Sequence, residues 1–175
     1  MEQKPASLVK SSLTSGIYIG VVLILISVIL YVAGLMFEKW AQYVSWPVLI
    51  AGAIYAQLVY RKSLGGEMTY GQALGIGVLA LVFASVLSAI YTIILYTFID
   101  PSLAEQTRMM VEQRIIEQGK VPEEQLDQVV DIAMKFQKPP ILAGIAILGG
   151  AFIGLIISLI TGIFTKKNPS DVVPE

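Results

Sequence analysis

Long stretches without any charged residue dominate the pattern of polar and apolar positions in this chain of 175 residues. Four such runs contain 27, 21, 32 and 27 residues, and none of them shows the polar stripe of a helix in a soluble bundle. An α-helix rises about 1.5 Å per residue, so about 20 residues cross the roughly 30 Å hydrocarbon core of a bilayer. We therefore predict four membrane-spanning helices, at about residues 13–37, 44–60, 70–99 and 140–164.

The segment between the third and fourth runs has a different pattern. Residues 100–138 hold eight acidic and five basic side chains, and apolar residues recur at helical spacing on both sides of Gly119, a residue type that commonly ends helices. These apolar positions are Leu103, Met110 and Ile115 before the glycine, and Leu126, Val129, Val130, Ala133, Met134 and Phe136 after it. We predict an amphipathic helical hairpin over residues 101–138, packed on the bundle or on the membrane surface. The predicted fold class is all-α, an integral membrane bundle of four transmembrane helices with this hairpin between the third and fourth spans.

Lys4 and Lys10 precede the first run, as basic residues precede the apolar core of a secretory signal peptide. That core is about 7–15 residues long in signal peptides, whereas here it exceeds 20 residues. We therefore expect a retained first span, with a cleaved signal peptide as the alternative.

The glycine-rich stretch GGEMTYGQALGIG, residues 65–77, leads into the third predicted span. It lacks both the G-x-x-x-x-G-K-[ST] pattern of a phosphate loop and the G-x-G-x-x-G pattern that follows a strand in dinucleotide sites. Thr69 and Gln72 instead form the T-x-x-Q pattern of a capping box, which predicts the start of a helix. We expect Gly71, Gly75 and Gly77 to let a neighbouring helix come close rather than to bind a nucleotide.

Small residues recur at intervals of four in the predicted spans, a pattern that allows two helix backbones in lipid to approach closely. The longest series lies in the fourth span. The favoured interpretation is packing within the bundle, and the alternatives are association between copies or a narrow path between helices. The helix-packing residues predicted in this way are Gly16, Gly20, Gly52, Gly71, Gly75, Gly150, Gly154, Ser158 and Gly162.

Gln57 is the most notable polar residue within the predicted spans, because its amide must find hydrogen-bond partners in a dry setting. An interhelical hydrogen bond is the favoured interpretation, and a contact with a substrate is the alternative. The sequence has no acidic or basic side chain deep in any span, which counts against a carboxylate relay for protons or cations.

Two residue types that commonly serve catalysis and metal binding, cysteine and histidine, do not occur in the sequence. The carboxylates of Glu123, Glu124, Asp127 and Asp131 could be imagined as a metal site, but no further oxygen-rich loop completes a calcium shell. A solvated acidic face is the favoured interpretation, and we predict no catalytic, cofactor-binding or metal site. The net charge of −1 also argues against nucleic acid as a partner.

Basic residues in short loops collect on the cytoplasmic side of a membrane. Four spans would bring both termini and the connection after the second span to one side, and the two sides then hold six Lys and Arg residues each. Five of the six on the opposite side are scattered among acids in residues 100–138. The six on the terminal side lie in short segments near span ends, so we expect both termini to be cytoplasmic. They are Lys4, Lys10, Arg61, Lys62, Lys166 and Lys167.

The order of these elements resembles that of domain of unknown function family 4199, a family of bacterial membrane proteins. Its members share four spans, a Y-G-Q-type start of the third, an isoleucine-aspartate-proline at its exit and an acidic helical loop before the fourth. The corresponding residues here are Tyr70-Gly71-Gln72, Ile99-Asp100-Pro101 and the run from about residue 102 to 136. The resemblance covers about residues 8–167, and it implies the topology while bringing no activity and no catalytic residues.

These features lead to a function hypothesis based on architecture rather than on a catalytic motif. The leading hypothesis is a multi-pass protein of the bacterial inner (cytoplasmic) membrane that acts as a scaffold or accessory subunit through protein or lipid contacts. Its expected partners are membrane lipid, a second copy of the chain or another membrane protein. The alternative is an oligomeric small-molecule transporter or channel component, and a membrane enzyme ranks third.

Overall fold

The computed structural model of the chain describes residues 7–119 and 121–167, so Lys4 and Lys120 lie outside the described residues. Within this part of the chain there are six α-helices, which confirms the all-α class. They are α1 (Leu8–Val32), α2 (Ser45–Ser63), α3 (Tyr70–Ile94), α4 (Leu103–Gln118), α5 (Leu126–Phe136) and α6 (Pro139–Thr165). Short 3-10 turns at Ala41–Tyr43 and Glu123–Gln125 precede α2 and α5, and a π-helical turn, Leu95–Ile99, continues α3.

Among the described residues, three helices are long and apolar enough to cross a membrane: α1, α6 and the continuous helix Tyr70–Ile99. These three helices correspond to the first, third and fourth predicted spans, and they suggest a membrane protein. The helix at the second predicted span, α2, is shorter, with 19 residues, and its last turn carries Arg61 and Lys62. These two charges make α2 less apolar than the other three helices.

The end of α1 differs from the predicted span, because the helix stops at Val32 rather than at about residue 37. Gly34 has a φ of 70°, its N–H donates to Tyr31 C=O at 3.0 Å, and Leu35 N–H donates to Leu30 C=O at 2.9 Å. A left-handed glycine with this pair of hydrogen bonds satisfies the last carbonyls of a helix and ends it. The predicted span is too long at this end because the residues after Val32 are also uncharged. The distribution of charge in the sequence does not reveal the left-handed conformation of Gly34.

The chain divides into two compact units. Unit 1 comprises Met1–Ser88 and Ile147–Glu175, and therefore α1, α2 and most of α3 and α6. Unit 2 comprises Ala89–Ala146, with α4, α5 and the adjoining ends of α3 and α6.

Small residues are abundant in the interior of unit 1, beside larger buried side chains such as Ile76 and Leu81. Many other large apolar side chains are exposed, and the exposed fraction reaches 77% at Val32 and 80% at Phe164. Small residues inside and large ones outside are the arrangement of a bundle that gains stability from close backbone packing in lipid. The fully buried alanines of this interior are Ala53, Ala56, Ala73, Ala80 and Ala84.

The direction of each helix in unit 1 follows from the residues that face one another. Between α1 and α3, higher residue numbers on one helix face higher numbers on the other, so these two helices run in the same direction. Between α6 and α3, higher numbers face lower numbers, so α6 runs antiparallel to α3. The facing residues are Gly16 with Phe83, Gly20 with Leu87, Gly150 with Ser85, and Gly162 with Tyr70.

In unit 2, α4 and α5 are in contact, and Arg108 Nη1 donates to Asp131 Oδ1 at 2.8 Å. This hydrogen bond raises the pKa of the Arg108 guanidinium, but the two side chains are 36% and 62% exposed, so water screens the pair and its contribution to stability is small. Gly119, with a φ of 61°, ends α4. Apolar side chains lie on one side of α5 but are distributed around α4.

We predict that Gly150→Ala destabilises the protein, because a Cβ at this position would meet the Ser85 hydroxyl and lie 2.7 Å from Ser85 Cβ. Since α3 and α6 would have to move apart, the free energy of unfolding should fall by about 1–3 kcal/mol. Reversible unfolding in mixed detergent micelles measures this change.

Gly149→Ala is the matched control, one residue away in the same helix, because its added Cβ has no neighbour within 4 Å. It should leave stability unchanged or raise it by up to about 1 kcal/mol through helix propensity. Equal destabilisation by both substitutions would contradict the close approach of α6 to α3 at Gly150.

Candidate functional site

Buried polar side chains collect where the C-terminal half of α2 meets the first turns of α3 and the last turns of α6. Gln57 and Ser158 have no exposed surface, and Thr161 and Thr165 are 8% and 4% exposed. We call these four residues, together with Arg61, the Gln57 network. It is the largest group of buried polar side chains in the described part of unit 1, and therefore the candidate site.

Gln57 joins three helices through its side-chain amide. Its Nε2 donates to Ala73 C=O of α3 at 3.1 Å, and its Oε1 accepts from Thr165 Oγ1 of α6 at 3.0 Å. Both ends of the amide therefore have protein partners, as a buried amide in a dry interior requires. The zero exposure of Gln57 leaves no surface for a substrate to reach in this conformation.

Arg61 extends the network to the C-terminus of α6. It lies one helical turn after Gln57 in α2, and its Nη1 donates to Thr165 C=O at 3.0 Å. The last carbonyls of a helix have no N–H partner within the helix, and they favour a positive charge nearby. Arg61 thus satisfies the end of α6, while the Thr165 hydroxyl donates to Gln57 within the same group.

Ser158 and Gly77 form the closest contact of the network with α3. A Cβ at Gly77 would overlap the Ser158 hydroxyl and lie 3.0 Å from Gln57 Nε2, so only glycine leaves room for both polar side chains. Among the described residues, the Ser158 hydroxyl has no hydrogen-bond partner. The network therefore holds one hydroxyl that close packing, rather than hydrogen bonding, keeps in position.

Most of the small residues predicted to pack helices face another helix of unit 1. On α1, Gly16 and Gly20 face α3, with a Cβ at Gly16 only 2.7 Å from Ala80 C=O. A Cβ at Gly52 would lie 2.8 Å from Ile19 of α1. Gly75 of α3 and the four small residues of α6 also face helices of the same chain. The four residues of α6 are Gly150, Gly154, Ser158 and Gly162.

Gly71 is the exception among these predicted residues, because a Cβ there would have no neighbour within 4 Å. It belongs to the first turn of α3, where Thr69 and Gln72 form the predicted capping box. Thr69 N–H donates to Gln72 Oε1 at 2.9 Å, and Gln72 N–H donates to Thr69 Oγ1 at 3.3 Å, which confirms that prediction. The glycine-rich stretch thus begins a helix.

An apolar groove of about 530 Å³ lies between α1 and α2 on unit 1. Apart from two tyrosine rings, its lining is aliphatic, and it has no carboxylate, amine or imidazole for acid–base or nucleophilic chemistry. The lining residues are Tyr18, Ile19, Val22, Pro47, Val48, Ala51, Gly52 and Tyr55.

Four acidic residues of unit 2, Glu123, Glu124, Asp127 and Asp131, are the carboxylates from which a metal site could have been built. Within the part of the chain that the structure describes, no group of three or more acidic side chains is close enough to hold a metal ion. Asp131 pairs instead with Arg108.

Sequence reasoning singled out Gln57 but not its partners. Ala73 and Thr165 are 16 and 108 positions from Gln57, Ala73 accepts through its backbone C=O, and no spacing rule connects Gln57 with a hydroxyl so far along the chain. The signal available in the sequence was the pair of threonines at positions 161 and 165, which lie on one face of the last helical turns.

A family model described as a protein of unknown function (DUF4199) matches residues 14–167. Neither a curated protein nor a solved structure matches the chain.

We predict a favourable coupling energy of about 0.6–1.7 kcal/mol between Gln57 and Thr165, the range for hydrogen bonds between helices in a membrane. A double-mutant cycle with Gln57→Leu and Thr165→Val, read as unfolding free energies in micelles, measures it. The matched control is Thr161→Val, because the Thr161 hydroxyl donates to Ile157 C=O of its own helix. A cycle through Thr161 that shows the same coupling, or no coupling at Thr165, would refute the assigned hydrogen bond.

Proposed function

Because the chain belongs to the DUF4199 family of proteins of unknown function, its activity has to be inferred from its own geometry, and we propose that it is a scaffold or accessory subunit in a membrane. It acts through protein and lipid contacts rather than by catalysis. The observation that carries this proposal is the closed interior of unit 1, where Gln57 is fully buried and paired at both ends of its amide.

The proposal includes α2 as a fourth span. At about 1.5 Å per residue, its 19 residues reach about 28 Å, close to the thickness of the hydrocarbon core. Aromatic rings suited to the headgroup boundary lie at its start, where Trp40, Tyr43 and Trp46 are 50%, 63% and 44% exposed. The polar side chain of Gln57 points to α3 and α6, whereas Tyr55 is 47% exposed on the outside of α2.

Four spans give both termini the same side, which we assign to the cytoplasm of a bacterium because basic residues cluster there. The chain lacks cysteine, so single substitutions to cysteine report position without a background signal. We predict that a membrane-impermeant maleimide labels Glu38→Cys and Glu124→Cys in intact spheroplasts, and Ser63→Cys only after permeabilisation. Labelling of Glu38→Cys and Ser63→Cys from the same side would rule out α2 as a span.

The surface of unit 2 supports the proposal that a partner protein binds there. Its helices combine acidic residues with large apolar side chains that are about half exposed: Met109 at 56%, Ile116 at 58%, Ile132 at 48% and Phe136 at 58%. Exposed apolar side chains surrounded by charge are typical of surfaces that bind another protein. The partner that we propose is therefore a membrane protein that covers unit 2.

The alternative is an oligomeric transporter or channel component, in which the path would run between copies rather than through one chain. The apolar groove between α1 and α2 favours this alternative, because it offers a surface on which a helix of a second copy could pack. Under this alternative, contacts between copies dominate those with other proteins.

Photo-crosslinking in native membranes distinguishes the two functions. We predict that benzoylphenylalanine at Phe136 yields one stoichiometric partner of a different sequence, identified by mass spectrometry. The matched control is the same probe at Phe152 of α6, which is 65% exposed and should crosslink mainly to lipid. Crosslinks only between copies of the chain would reject the scaffold and support the oligomeric transporter.

A further inference from the structure

One end of unit 1 gathers basic residues from three helices. Lys10 lies in the first turns of α1, Arg61 and Lys62 end α2, and Lys166 and Lys167 follow α6. We call these five residues the basic end.

Contacts of the backbone and side chains hold these helix ends together. Leu8 of α1 lies 3.4 Å from the Cβ position of Gly75 near the start of α3, and Arg61 binds the C-terminus of α6. Met68 and Lys167 exchange two backbone hydrogen bonds, of 2.9 and 3.0 Å, which join the loop before α3 to the residues after α6. The basic residues are therefore fixed to the ends of packed helices.

The charge of this end is strongly positive. Lys10, Lys62, Lys166 and Lys167 are exposed, and Arg61 is partly buried. Glu67 is the one carboxylate on the connections that carry these residues within the described chain, which leaves a net charge of about +4 there. Four free ammonium groups on one face attract anions.

Large apolar side chains directly adjoin these lysines. Ile163 and Phe164 precede Lys166 and are 58% and 80% exposed, and Val9 beside Lys10 is 56% exposed. A lysine one turn beyond a lipid-facing side chain keeps its aliphatic stem along apolar surface while its ammonium reaches the headgroups. A soluble anion would meet the charges alone, whereas a lipid also fits the apolar side chains beside them.

We propose that the basic end binds the headgroups of anionic phospholipids in the surrounding bilayer, an inference that rests on the proposed membrane function. The phosphate and any further negative charge of the headgroup lie between the ammonium groups, and the acyl chains lie along the exposed side chains of α1 and α6. The protein thereby collects anionic lipid around this end.

Native mass spectrometry of the full chain in detergent micelles, titrated with phosphatidylglycerol, phosphatidylcholine or inorganic phosphate, tests the proposal. The expected result is discrete bound phosphatidylglycerol with little phosphatidylcholine or phosphate. The double variant Lys166→Gln/Lys167→Gln should weaken phosphatidylglycerol binding about 30-fold, the factor that two basic residues near an anionic surface contribute. The backbone hydrogen bonds of Lys167 do not need its ammonium.

The matched control is Lys135→Gln/Lys138→Gln, which removes two exposed lysines from unit 2 and should leave the binding unchanged. If the first variant is not monodisperse, Lys10→Gln/Lys62→Gln takes its place, because both lysines are exposed and neither backbone joins the pairing between Met68 and Lys167. Equal binding of phosphatidylglycerol and phosphatidylcholine, equal losses in variant and control, or phosphate binding as tight as lipid binding would each overturn the proposal.

Failure of the lipid proposal is distinguishable from failure of the proposed function. A chain that crosslinks a partner through Phe136 yet binds both lipids alike retains the scaffold function and loses only the lipid site. A chain that stays monodisperse in buffer without detergent is no membrane protein, and both proposals then fall.

Discussion

Close approach of helix backbones is the interaction on which the rest of unit 1 depends. In lipid, apolar side chains gain little by leaving one hydrocarbon environment for another, so helices associate through dispersion contacts and hydrogen bonds between them. A Cβ added at Gly16 would lie 2.5 Å from Phe83 Cβ and 2.7 Å from a carbonyl oxygen of α3, which shows how little space separates these helices. Fully buried alanines continue the same close packing between the other helices.

This packing determines where polar groups can be accommodated. Gln57 reaches Ala73 C=O and the Thr165 hydroxyl only because α2, α3 and α6 converge around Gly77, which has no side chain to occupy the space. Hydrogen bonds of this kind add modestly to stability in a membrane, but their geometry is directional. They therefore set the register of three helices that dispersion alone would hold less specifically.

The sequence predicted the helical class and the three long apolar helices because lipid excludes charge over whole spans, a constraint that is visible residue by residue. The helix ends were harder, since the end of α1 depends on the left-handed conformation of Gly34 rather than on polarity. The orientation of single glycines was also out of reach: Gly71 and Gly75 lie on one face of α3, yet only Gly75 has a neighbour from another helix. The partners of Gln57 come from distant parts of the chain, and only three-dimensional packing brings them together.

Two contacts join early segments of the chain to the end of α6 and the residues after it. They are the backbone pairing of Met68 with Lys167 and the hydrogen bond from Arg61 to Thr165 C=O. Arg61 and its acceptor in Thr165 are 104 positions apart, so α2 and the start of α3 are synthesised well before the end of α6. Until α6 emerges, Arg61 and one end of the Gln57 amide must keep other hydrogen-bond partners. The arrival of α6 is therefore the step that gives both groups their final partners, and the bundle of unit 1 is complete only from that point.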